Sequence, residues 1–555
     1  MARKRNIDKI TSEKKRWEQG RKVAEGLDLK LPVGPEGLDA APVYTPSDIP
    51  DLDYMRDLGF PGEYPYTRGP YAEMYRLRPF RLSLPAGFGR AEESRDRLDF
   101  LMKMGQHGIN LFTHMPSQFG VDSDDPSAED DVGRAGIAFD TMNDMELVYE
   151  KVPMSAPYAT NWQWGAPIMA AFMVATADKK GFPRTELTGM TMNSPLGEFN
   201  CKKSSVLPPK AAVKFCMDWA EFAFKNLPKF QPFQVRTGTT FCKNRGLEPA
   251  YNFCEAKVYI DELLKRGLDI DQIGSMMSFG FCVTSPYIFT EVATFRAARR
   301  VWAKIMKEEY GAKDPRSWSL RFTAMPLPSW QFREAKELNL VRIAYMGLAA
   351  VLAGCQGWYP PTYDEAYSTP TEWGHYLTLG TGLIIYHETD SCKTVDPLGG
   401  SYFVEYLTNQ VEQEIYQAIK RVEEYGGIIK MLEDGVLQRE YLDNAWNFEK
   451  DVRSGKRLIV GRNIAHVDEP EVDPPMTKVE PEIVRKQIER LKKIKAERNQ
   501  TQLKASLERL RKAAESGENT FPSLLDCAKA YASIGEITSV LKDVYGEYKE
   551  KDVMV

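Results

Sequence analysis

The chain has 555 residues, 43% of them hydrophobic and 27% charged, so it is several times longer than a typical domain and can fill a large core. Its 73 Lys and Arg against 78 Asp and Glu leave a net charge of −5, which gives no general reason to expect binding to nucleic acid or to an anionic membrane. The sequence has neither an apolar run long enough for a membrane helix nor a signal core, and its eight cysteines form no C-x-x-C pair. These features predict a soluble, cytoplasmic enzyme with no disulfide scaffold and no metal site.

Residues 1–43 begin with a charged stretch and become rich in proline and glycine at 31–38. This pattern predicts an N-terminal helix followed by an extended arm. Such an arm either wraps a partner subunit or is a loosely held tail, and the sequence leaves both interpretations open.

Short apolar runs alternate with helical periodicity from residue 44 to residue 463. Residues 133–139 predict a strand, and the Asp-Thr pair after them predicts a capping turn before a helix at 145–148. Farther along, the apolar spacing of 340–351 predicts a helix, and 355–359 predict a strand that two prolines end.

Repeated strand–helix units predict an α/β fold with a parallel sheet. About 420 residues are available between 44 and 463, and a (β/α)₈ TIM barrel with insertions is the most economical arrangement. A doubly wound open sheet is the alternative, because periodicity alone does not separate the two folds.

Residues 464–555 predict an acidic, proline-containing linker followed by a helical region. Val484, Ile488 and Leu491 recur at helical spacing among many basic side chains. A basic helix of this kind binds a membrane or nucleic acid, or it presents a solvated face over an apolar seam. The acidic net charge of the chain favours the second interpretation.

Local catalytic motifs are almost absent, with no P-loop, no H-E-x-x-H and no G-x-S-x-G, and none of the five histidines has the spacing of a metal pair. The acidic residues at 122–125 and 129–131 suggest either a site for a hard cation or a loop that caps a helix. The second is favoured because the EF-hand spacing is missing. Residue chemistry alone therefore predicts a large α/β enzyme and no reaction.

Several segments that follow one another along the chain are more specific. They are Arg68-Gly-Pro-Tyr-Ala-Glu-Met-Tyr75, Arg78-Pro-Phe80, Ala86-Gly-Phe-Gly-Arg-Ala-Glu-Glu-Ser94, Gly120-Val-Asp-Ser-Asp-Asp-Pro126, Gly133-Arg-Ala-Gly-Ile-Ala-Phe-Asp140, Asp364-Glu-Ala366, Asp396-Pro-Leu-Gly-Gly-Ser-Tyr402, Val460-Gly-Arg-Asn463 and the basic helix 485–495. In this order they resemble the methylmalonyl-CoA mutase family.

The resemblance implies a (β/α)₈ barrel threaded by the pantetheine arm of an acyl-CoA, and an isomerase that uses adenosylcobalamin for a radical 1,2-rearrangement. The family's cobalamin module carries an Asp-x-His-x-x-Gly motif whose histidine ligates cobalt, but no histidine here follows an aspartate by two positions. We therefore expect a large subunit that pairs with a separate small cobalamin-binding subunit supplying that histidine, with the C-terminal helices as linker or docking face. The resemblance also implies an α2β2 heterotetramer and a G-protein chaperone.

Matching positions imply roles for individual residues. Tyr71, Met74 and Arg78 correspond to residues at the CoA entrance, where an arginine pairs with phosphate. Glu365 corresponds to a glutamate that holds the adenosyl ribose, and Ala366 and Gly133 are expected on the same cofactor side. Gln356 corresponds to a glutamine near the acyl group and is predicted to be catalytic. Structural alternatives are a surface ion pair for Arg78 and a helix-start carboxylate for Glu365.

The acyl pocket departs from the family pattern. Pro85, in the segment that begins at Ser83, replaces the tyrosine that wedges adenosyl from cobalt. Thr240 replaces the histidine that binds the thioester carbonyl, and Lys214 aligns with the arginine that grips the methylmalonyl carboxylate; both are predicted to be catalytic. Three further substitutions are predicted at substrate-binding positions: Thr323 for a histidine, Met192 for a glutamine and Asn110 for a serine.

These replacements remove volume and polarity from the pocket, which predicts a bulkier acyl group than methylmalonyl, either branched or a substituted succinyl/malonyl pair. The alternative is a non-catalytic paralogue that scaffolds or regulates a mutase. Loss of both pocket histidines favours the paralogue, whereas retention of Glu365, Gln356 and the CoA-entrance residues favours the enzyme.

Overall fold

A computed structural model describes residues 2–20, 40–160, 162, 164–238, 244–283, 285–326, 330–367, 369–467 and 479–551. The described residues form eight short strands, all paired in parallel. The strands are β1 Arg81–Leu82, β2 Ile109–Leu111, β3 Tyr158–Thr160, β4 Gly189–Thr191, β5 Phe230–Gln231, β6 Phe279–Val283, β7 Phe322–Pro326 and β8 Gly357–Trp358.

The strands close into a ring. Two four-stranded sheets have the orders β2-β3-β4-β5 and β6-β7-β8-β1. Parallel bridges between Ala86 and Leu111 and between Val235 and Phe279 join the two sheets, extending β1 to β2 and β5 to β6. Strand β1 therefore has β8 on one side and β2 on the other, and the (β/α)₈ barrel is confirmed over the doubly wound alternative.

Nineteen α-helices lie among the described residues. They are α1 Ala2–Gly20, α2 Ala91–Lys103, α3 Met115–Gln118, α4 Met142–Val148, α5 Ala166–Lys180, α6 Pro209–Asn226, α7 Leu247–Lys265, α8 Ile270–Met276, α9 Ile288–Lys304, α10 Pro315–Trp318, α11 Glu337–Leu352, α12 Glu372–His387, α13 Tyr402–Tyr425, α14 Ile428–Glu433, α15 Val436–Arg453, α16 Pro481–Glu497, α17 Gln500–Ser516, α18 Phe521–Lys529 and α19 Ile534–Tyr545.

The main core lies between the strands and the surrounding helices. Helix α5 is buried along Ala166–Ala177 because α4 and α6 flank it and α18 covers it. Helix α9 carries the fully buried Arg296 and Arg299. Arg296 pairs with Asp396 and Glu405, and Arg299 donates to backbone carbonyls, so each charge is satisfied by partners from distant parts of the chain.

The barrel interior is lined differently from this core. Met192, Met325 and Tyr359 form an apolar cluster separate from the main one, and the Tyr359 hydroxyl lies 3.9 Å from the Met190 sulfur. Gly280 on β6 lies between Met325 on β7 and Arg236 after β5, and an added Cβ there would lie 2.5 Å from the Met325 methyl group. Thioethers and small residues therefore occupy positions that bulky aliphatic side chains fill in ordinary barrels.

The C-terminal helices pack against the barrel through a polar seam. Gln487 on α16 donates to Asp140 at 2.6 Å, and Arg490 pairs with Asp144 at 2.9 Å and with Glu92 at 2.7 Å. Burial and the nearby Asp144 raise the pKa of Asp140 to about 7. The interpretation of a solvated basic face therefore agrees with Arg485, Lys486 and Lys493, which are exposed, whereas Arg490 and Lys495 are paired with carboxylates of the barrel.

The acidic cluster at 122–125 also belongs to this contact. Asp122 accepts hydrogen bonds from Ser533 at 2.6 Å and from the Gly535 amide at 2.7 Å, and it pairs with Lys495 at 2.8 Å. It therefore caps the start of α19, as the loop interpretation predicted. Across the described ranges, no group of three or more His, Cys, Asp or Glu is arranged to hold a metal ion.

Several sequence predictions are settled by these elements. The helix at 340–351 and the strand at 355–359 are confirmed as α11 and β8. The strand predicted at 133–139 is wrong. That segment is a series of turns, in which Ile137 makes one isolated bridge to Thr113. Thr141 then caps α4. The described part of the chain contains no helix long and apolar enough to cross a membrane.

Helix α1 stands where an N-terminal helix is predicted. The extended arm at 31–38 and most of the acidic linker at 466–475 lie outside the described residues. The division into residues 1–43, 44–463 and 464–555 stays a prediction.

Candidate functional site

A cavity of about 920 Å³ opens at one end of the barrel. Its wall includes residues at or just beyond the carboxyl ends of the strands: Pro85 after β1, Asn110 in β2, Met192 after β4, Arg236 after β5, Met325 in β7 and Tyr359 after β8. The carboxyl ends of parallel strands meet at one face of a barrel, and active sites of this fold lie there. The loop at 129–135, the loop at 359–370 and Val484 of α16 complete the wall above the strands.

Glu365 lies in the loop between β8 and α12. Asp364 holds this loop by accepting hydrogen bonds from the Thr362 hydroxyl at 2.5 Å and from the Thr371 hydroxyl, also at 2.5 Å. The Glu365 side chain is exposed to the cavity but is surrounded by protein. This desolvation, with the nearby Asp364 charge, raises the pKa of Glu365 to about 7.

His375, on the first turn of α12, connects this helix to the segment after β1. Its Nε2 lies 3.3 Å from the Pro85 carbonyl oxygen, and Arg97 approaches Nδ1 at 3.1 Å. Nδ1 also lies 2.9 Å from the Thr371 carbonyl oxygen. Burial and the Arg97 charge lower the pKa of His375, and the neutral ring has one N–H, which it can donate either to Thr371 from Nδ1 or to Pro85 from Nε2. His375 therefore lies between the start of α12 and the backbone after β1.

Arg236 carries a cation into the cavity. Its backbone amide donates to the Ser194 hydroxyl at 2.8 Å, and its guanidinium nitrogens lie 3.9 Å from the Met192 sulfur and 3.8 Å from the Cys282 sulfur. Sulfur is a weak acceptor, so these contacts orient the guanidinium only weakly.

Five of the predicted site residues line this one cavity: Pro85, Asn110, Met192, Glu365 and Ala366. Ser83 and Thr323 are buried just beneath it and are not part of its wall. The Asn110 amide donates to the Ser83 carbonyl at 3.3 Å, which links the two neighbouring strands.

Gly133 acts through its backbone contacts and does not line the cavity. Its amide donates to His114 Nδ1 at 3.1 Å, its φ is +69°, and an added Cβ would lie 2.8 Å from Gly89. A side chain there would separate the segment after β1 from the loop at 129–135. Gly133 thus shapes the cavity wall without reaching the cavity, which corrects its expected place as a contact.

The predicted CoA-entrance residues lie at the opposite end of the barrel, before β1. Arg78 is exposed and stacks over the Tyr71 ring at 4.9 Å, whereas Met74 is buried beside Gly354. Gln356 is also at this end: its amide donates to the Gly354 carbonyl at 2.7 Å and accepts from the Phe322 amide at 2.8 Å. Gln356 is therefore away from the cavity and engaged with backbone, so its predicted place near the acyl group is corrected.

Lys214 is on the outer helix α6. Its ammonium pairs with Asp218 at 2.7 Å and donates to the Glu518 carbonyl at 2.5 Å, where α6 meets the C-terminal region. The structure does not bring Lys214 to the cavity, so its predicted role in gripping a carboxylate is wrong. Thr240, the other predicted catalytic residue, lies outside the described residues.

Sequence reasoning missed Arg236, Tyr359 and His375 as parts of this site. Arg236 stands four residues before Thr240 and belongs to none of the segments that resemble the family. His375 was dismissed because it has no metal-pair spacing. Only the closed barrel brings these side chains together.

Comparison with known proteins gives one consistent result. The family model described as methylmalonyl-CoA mutase matches residues 34–547. The chain is 33% identical to the 2-hydroxyisobutanoyl-CoA mutase large subunit of Aquincola tertiaricarbonis, over 98% of both chains. It is 33% identical to mouse mitochondrial methylmalonyl-CoA mutase and 32% identical to the Escherichia coli enzyme, covering 70% and 72% of their lengths. The chain belongs to the methylmalonyl-CoA mutase family.

Proposed function

We propose that this chain is the large subunit of an adenosylcobalamin-dependent acyl-CoA mutase whose acyl group is bulkier than methylmalonyl. Mutases of this family are isomerases that use adenosylcobalamin. The observation that carries the proposal is the cavity of about 920 Å³ with Pro85, Met192 and Asn110 in its wall. Small or flexible side chains at these positions leave room beside the acyl carbon skeleton.

The residues present fit the adenosyl part of the cofactor. The Glu365 carboxyl group faces the open cavity, and a carboxylate can accept hydrogen bonds from two ribose hydroxyls. Ala366 follows in the same exposed loop, where a larger side chain would fill the space. When bound, adenosylcobalamin supplies the carbon radical for the rearrangement.

The chain itself positions the substrate and excludes water. Arg81 alternates with Leu82 on β1 and is exposed, whereas Leu82 is buried against the helices. Gly357 on β8, next to β1, and Gly280 on β6, two strands farther, leave the lining without side chains at these positions. This lining supports a pantetheine arm that passes along the barrel axis from the Arg78 end and delivers the thioester to the cavity floor.

A separate small cobalamin-binding subunit is part of the proposal. The matched Aquincola relative is named a large subunit and has nearly the length of this chain. Among the described residues of the cavity wall there is one histidine, His375, and its ring nitrogens already contact Pro85, Thr371 and Arg97. A cobalt-ligating histidine from the partner agrees with both observations. The α2β2 assembly and the G-protein chaperone stay predictions from the resemblance.

The test is reconstitution of the purified chain with a small cobalamin-binding subunit and adenosylcobalamin. The substrates are methylmalonyl-CoA, ethylmalonyl-CoA, isobutyryl-CoA and 2-hydroxyisobutanoyl-CoA, and the products are identified by mass spectrometry. We expect rearrangement of ethylmalonyl-CoA, whose acyl group is larger than methylmalonyl, and a lower kcat/KM for methylmalonyl-CoA. The acyl groups of isobutyryl-CoA and 2-hydroxyisobutanoyl-CoA are smaller than methylmalonyl, so turnover of these two alone would contradict the larger acyl group. Binding of acyl-CoA and cofactor without rearrangement of any substrate would identify a non-catalytic paralogue instead.

A further inference from the structure

Helix α16 forms part of the cavity rim. Val484, in its first turns, lies in the cavity wall, as does Val479 just before the helix. Val484 also packs against the apolar cluster of Ala128, Val132 and Ala138. The way in which α16 sits on the barrel therefore decides where one side of the cavity wall stands.

Gln487 joins α16 to the barrel beside this rim. It follows Val484 by three residues, so both side chains lie on the same face of the helix. Its buried side-chain amide donates to Asp140 at 2.6 Å and to Asp144 at 3.3 Å. One neutral amide thus bridges two carboxyl groups at the start of α4.

Arg490, the nearest cation of α16 to these two groups, is shared between other carboxylates. It pairs with Asp144 at 2.9 Å and with Glu92 of α2 at 2.7 Å. Glu92 also lies 3.5 Å from Arg90. The charge of Arg490 is therefore engaged with Asp144 and Glu92, and its ion pairs do not include Asp140.

The other cations along this seam are engaged in the same way. Lys495 pairs with Asp122 at 2.8 Å and with Asp124 at 2.7 Å. Arg498, at the end of α16, pairs with Glu536 of α19. Each of these cations thus has its own carboxylate partners.

Asp140 is held by neutral donors. It is fully buried, and among the described residues its side chain accepts from the Ser123 amide at 2.7 Å and from Gln487 at 2.6 Å. Burial, together with the nearby charges of Asp144 and Asp122, raises the pKa of Asp140 to about 7. Below that pH the carboxyl group keeps a proton.

We propose that the proton on Asp140 locks α16 onto the cavity rim, and that ionisation of this carboxyl group loosens the helix and the part of the wall that it carries. Ionised Asp140 is a buried charge without a paired cation and lies beside Asp144, which destabilises the closed seam. Asp140 is a positioning residue that acts through Gln487. The inference concerns the rim alone, so it and the proposed acyl-CoA mutase function can fail independently.

The pH range of the effect follows from the pKa of Asp140 with α16 seated, about 7, and its ordinary value of 3.8 once α16 opens and water reaches it. Below about pH 4 the group is protonated in both states, so opening does not depend on pH. Between about pH 4 and pH 7 only the open state loses the proton, and opening becomes easier by up to about 10-fold per pH unit. Above pH 7 the group is ionised in both states, and the effect levels off.

The test is hydrogen-exchange mass spectrometry of the purified full-length chain between pH 5 and pH 8. Rates are expressed as protection factors, which removes the intrinsic pH dependence of exchange. We expect the protection of 481–497 to fall at least about 10-fold from pH 5 to pH 7 and to change less than about 3-fold from pH 7 to pH 8. At every pH it should stay below the protection of α9, because α16 opens without unfolding the barrel.

The decisive variant is Asp140→Asn, which is neutral at every pH. Its protection of 481–497 should change less than about 3-fold from pH 5 to pH 7. Glu482→Gln, on the exposed side of α16, is the matched control and should keep the wild-type profile. Gln487→Met removes a donor that favours the ionised carboxylate, so its profile should level off about 1 pH unit higher.

A flat wild-type profile from pH 5 to pH 7 would overturn the inference. A pH dependence that persists in Asp140→Asn, or that disappears in Glu482→Gln, would assign the proton to another group and overturn it as well. Equal protection of α16 and α9 would mean that α16 opens only when the barrel unfolds, which contradicts a separate rim. If Asp140→Asn fails to fold, Gln487→Met decides, and a profile equal to wild type would overturn the inference.

Discussion

Glu365 combines an open position in the cavity with a pKa raised by desolvation to about 7. A carboxylate accepts hydrogen bonds from hydroxyl groups more strongly than a neutral acid does. Below pH 7 the group is mostly protonated, and above pH 7 it is mostly ionised. The affinity for an adenosyl ribose should therefore rise as the pH passes through this value.

We expect Glu365→Gln to weaken adenosylcobalamin binding in the reconstituted complex by about 10- to 100-fold at pH 8, because hydrogen bonds to a charged group are worth about 1.5–3 kcal/mol. Titration of the cofactor between pH 6 and pH 8 measures this effect. Wild-type affinity should increase with pH, whereas the variant should be nearly flat. A flat wild-type profile would remove the carboxylate from ribose binding.

Glu255 gives a stability prediction, because it is fully buried and burial raises its pKa to about 8 from the ordinary 4.5. Between these two values the folded chain keeps a proton that the unfolded chain has lost, so the stability from this group declines as the pH rises to about 8. Glu255→Gln removes this titration. The free energy of unfolding of the variant relative to wild type should rise by about 1 kcal/mol per pH unit from pH 5 to pH 8 and then level off.

Chemical denaturation at several pH values, with both proteins in the same buffers, measures that difference. A constant difference across the range would mean that Glu255 has an ordinary pKa in the folded chain. The amide can still accept from Ser194 and Tyr259, which contact Glu255 at 2.9 Å and 3.3 Å, so the variant should fold.

Single residues were the least predictable part of this site. Alignment with the family pattern drew attention to Pro85 and Met192, and the structure places both in the cavity wall; Pro85 directly precedes the matched segment 86–94. It failed for Lys214, because a short helical segment can be shifted by a residue or more without an obvious mismatch. Arg236 could not be found this way, since only the closed barrel brings it into the cavity wall.

Helix α16 is held on the barrel by side chains that differ sharply in burial. Arg490 is mostly buried and contacts Asp144, Glu92 and Gln487, whereas Arg485 on the same helix is exposed and pairs only with glutamates of its own helix. Removing a buried cation destabilises the fold because it leaves buried carboxylates unpaired, whereas an exposed ion pair contributes little to the free energy of unfolding.

We expect Arg490→Met to lower the free energy of unfolding by about 2 kcal/mol and to speed hydrogen exchange in 481–545, because it leaves Asp144 without its cation. Arg485→Met is the matched control and should change stability by less than about 0.5 kcal/mol. Denaturation combined with hydrogen-exchange mass spectrometry measures both effects. Similar results for the two variants would show that the seam does not hold α16 in place.

At the scale of elements, long periodic helices were predicted better than strands. Helix α11 has a clear apolar face and a glycine with φ +83° after its end, so both its presence and its stop could be predicted. The strands are two to five residues long, too short for an alternating pattern. Residues 133–139 resemble a strand in composition, but they turn around Gly136, whose added Cβ would meet the backbone at His114.

At the scale of the molecule, the barrel separates two ends with different surfaces. The end before β1 carries the exposed Arg78, which suits the phosphates of CoA. The other end is the mouth of the cavity, where α12 begins beside Pro370 and His375. Chain length favoured the closed ring, but periodicity left the open sheet as an alternative, and the family resemblance then implied the barrel.

Two aromatic side chains are exposed on the first turns of α12, next to this mouth. Trp373 and Tyr376 stack with their ring centroids 5.1 Å apart, and 60% and 41% of their surfaces are accessible. Exposed tryptophan and tyrosine are enriched at the centres of protein interfaces, where each can contribute a large part of the binding energy. A cobalamin-binding subunit that closes the mouth would cover them.

We expect Trp373→Ala to weaken association with the small cobalamin-binding subunit by about 10- to 100-fold, because truncating an interface tryptophan commonly costs at least 2 kcal/mol. Sedimentation velocity with adenosylcobalamin present measures the association, and calorimetry with ethylmalonyl-CoA on the isolated chain checks that the barrel is intact. Phe60→Ala is the matched control, because Phe60 is similarly exposed. It lies close in sequence to Asp57, whose carbonyl oxygen accepts from Arg300 near the carboxyl end of α9, at the end of the barrel opposite the cavity mouth. Loss of association in Phe60→Ala but not in Trp373→Ala would place the partner at the opposite end of the barrel, and the cavity mouth would then need another cover.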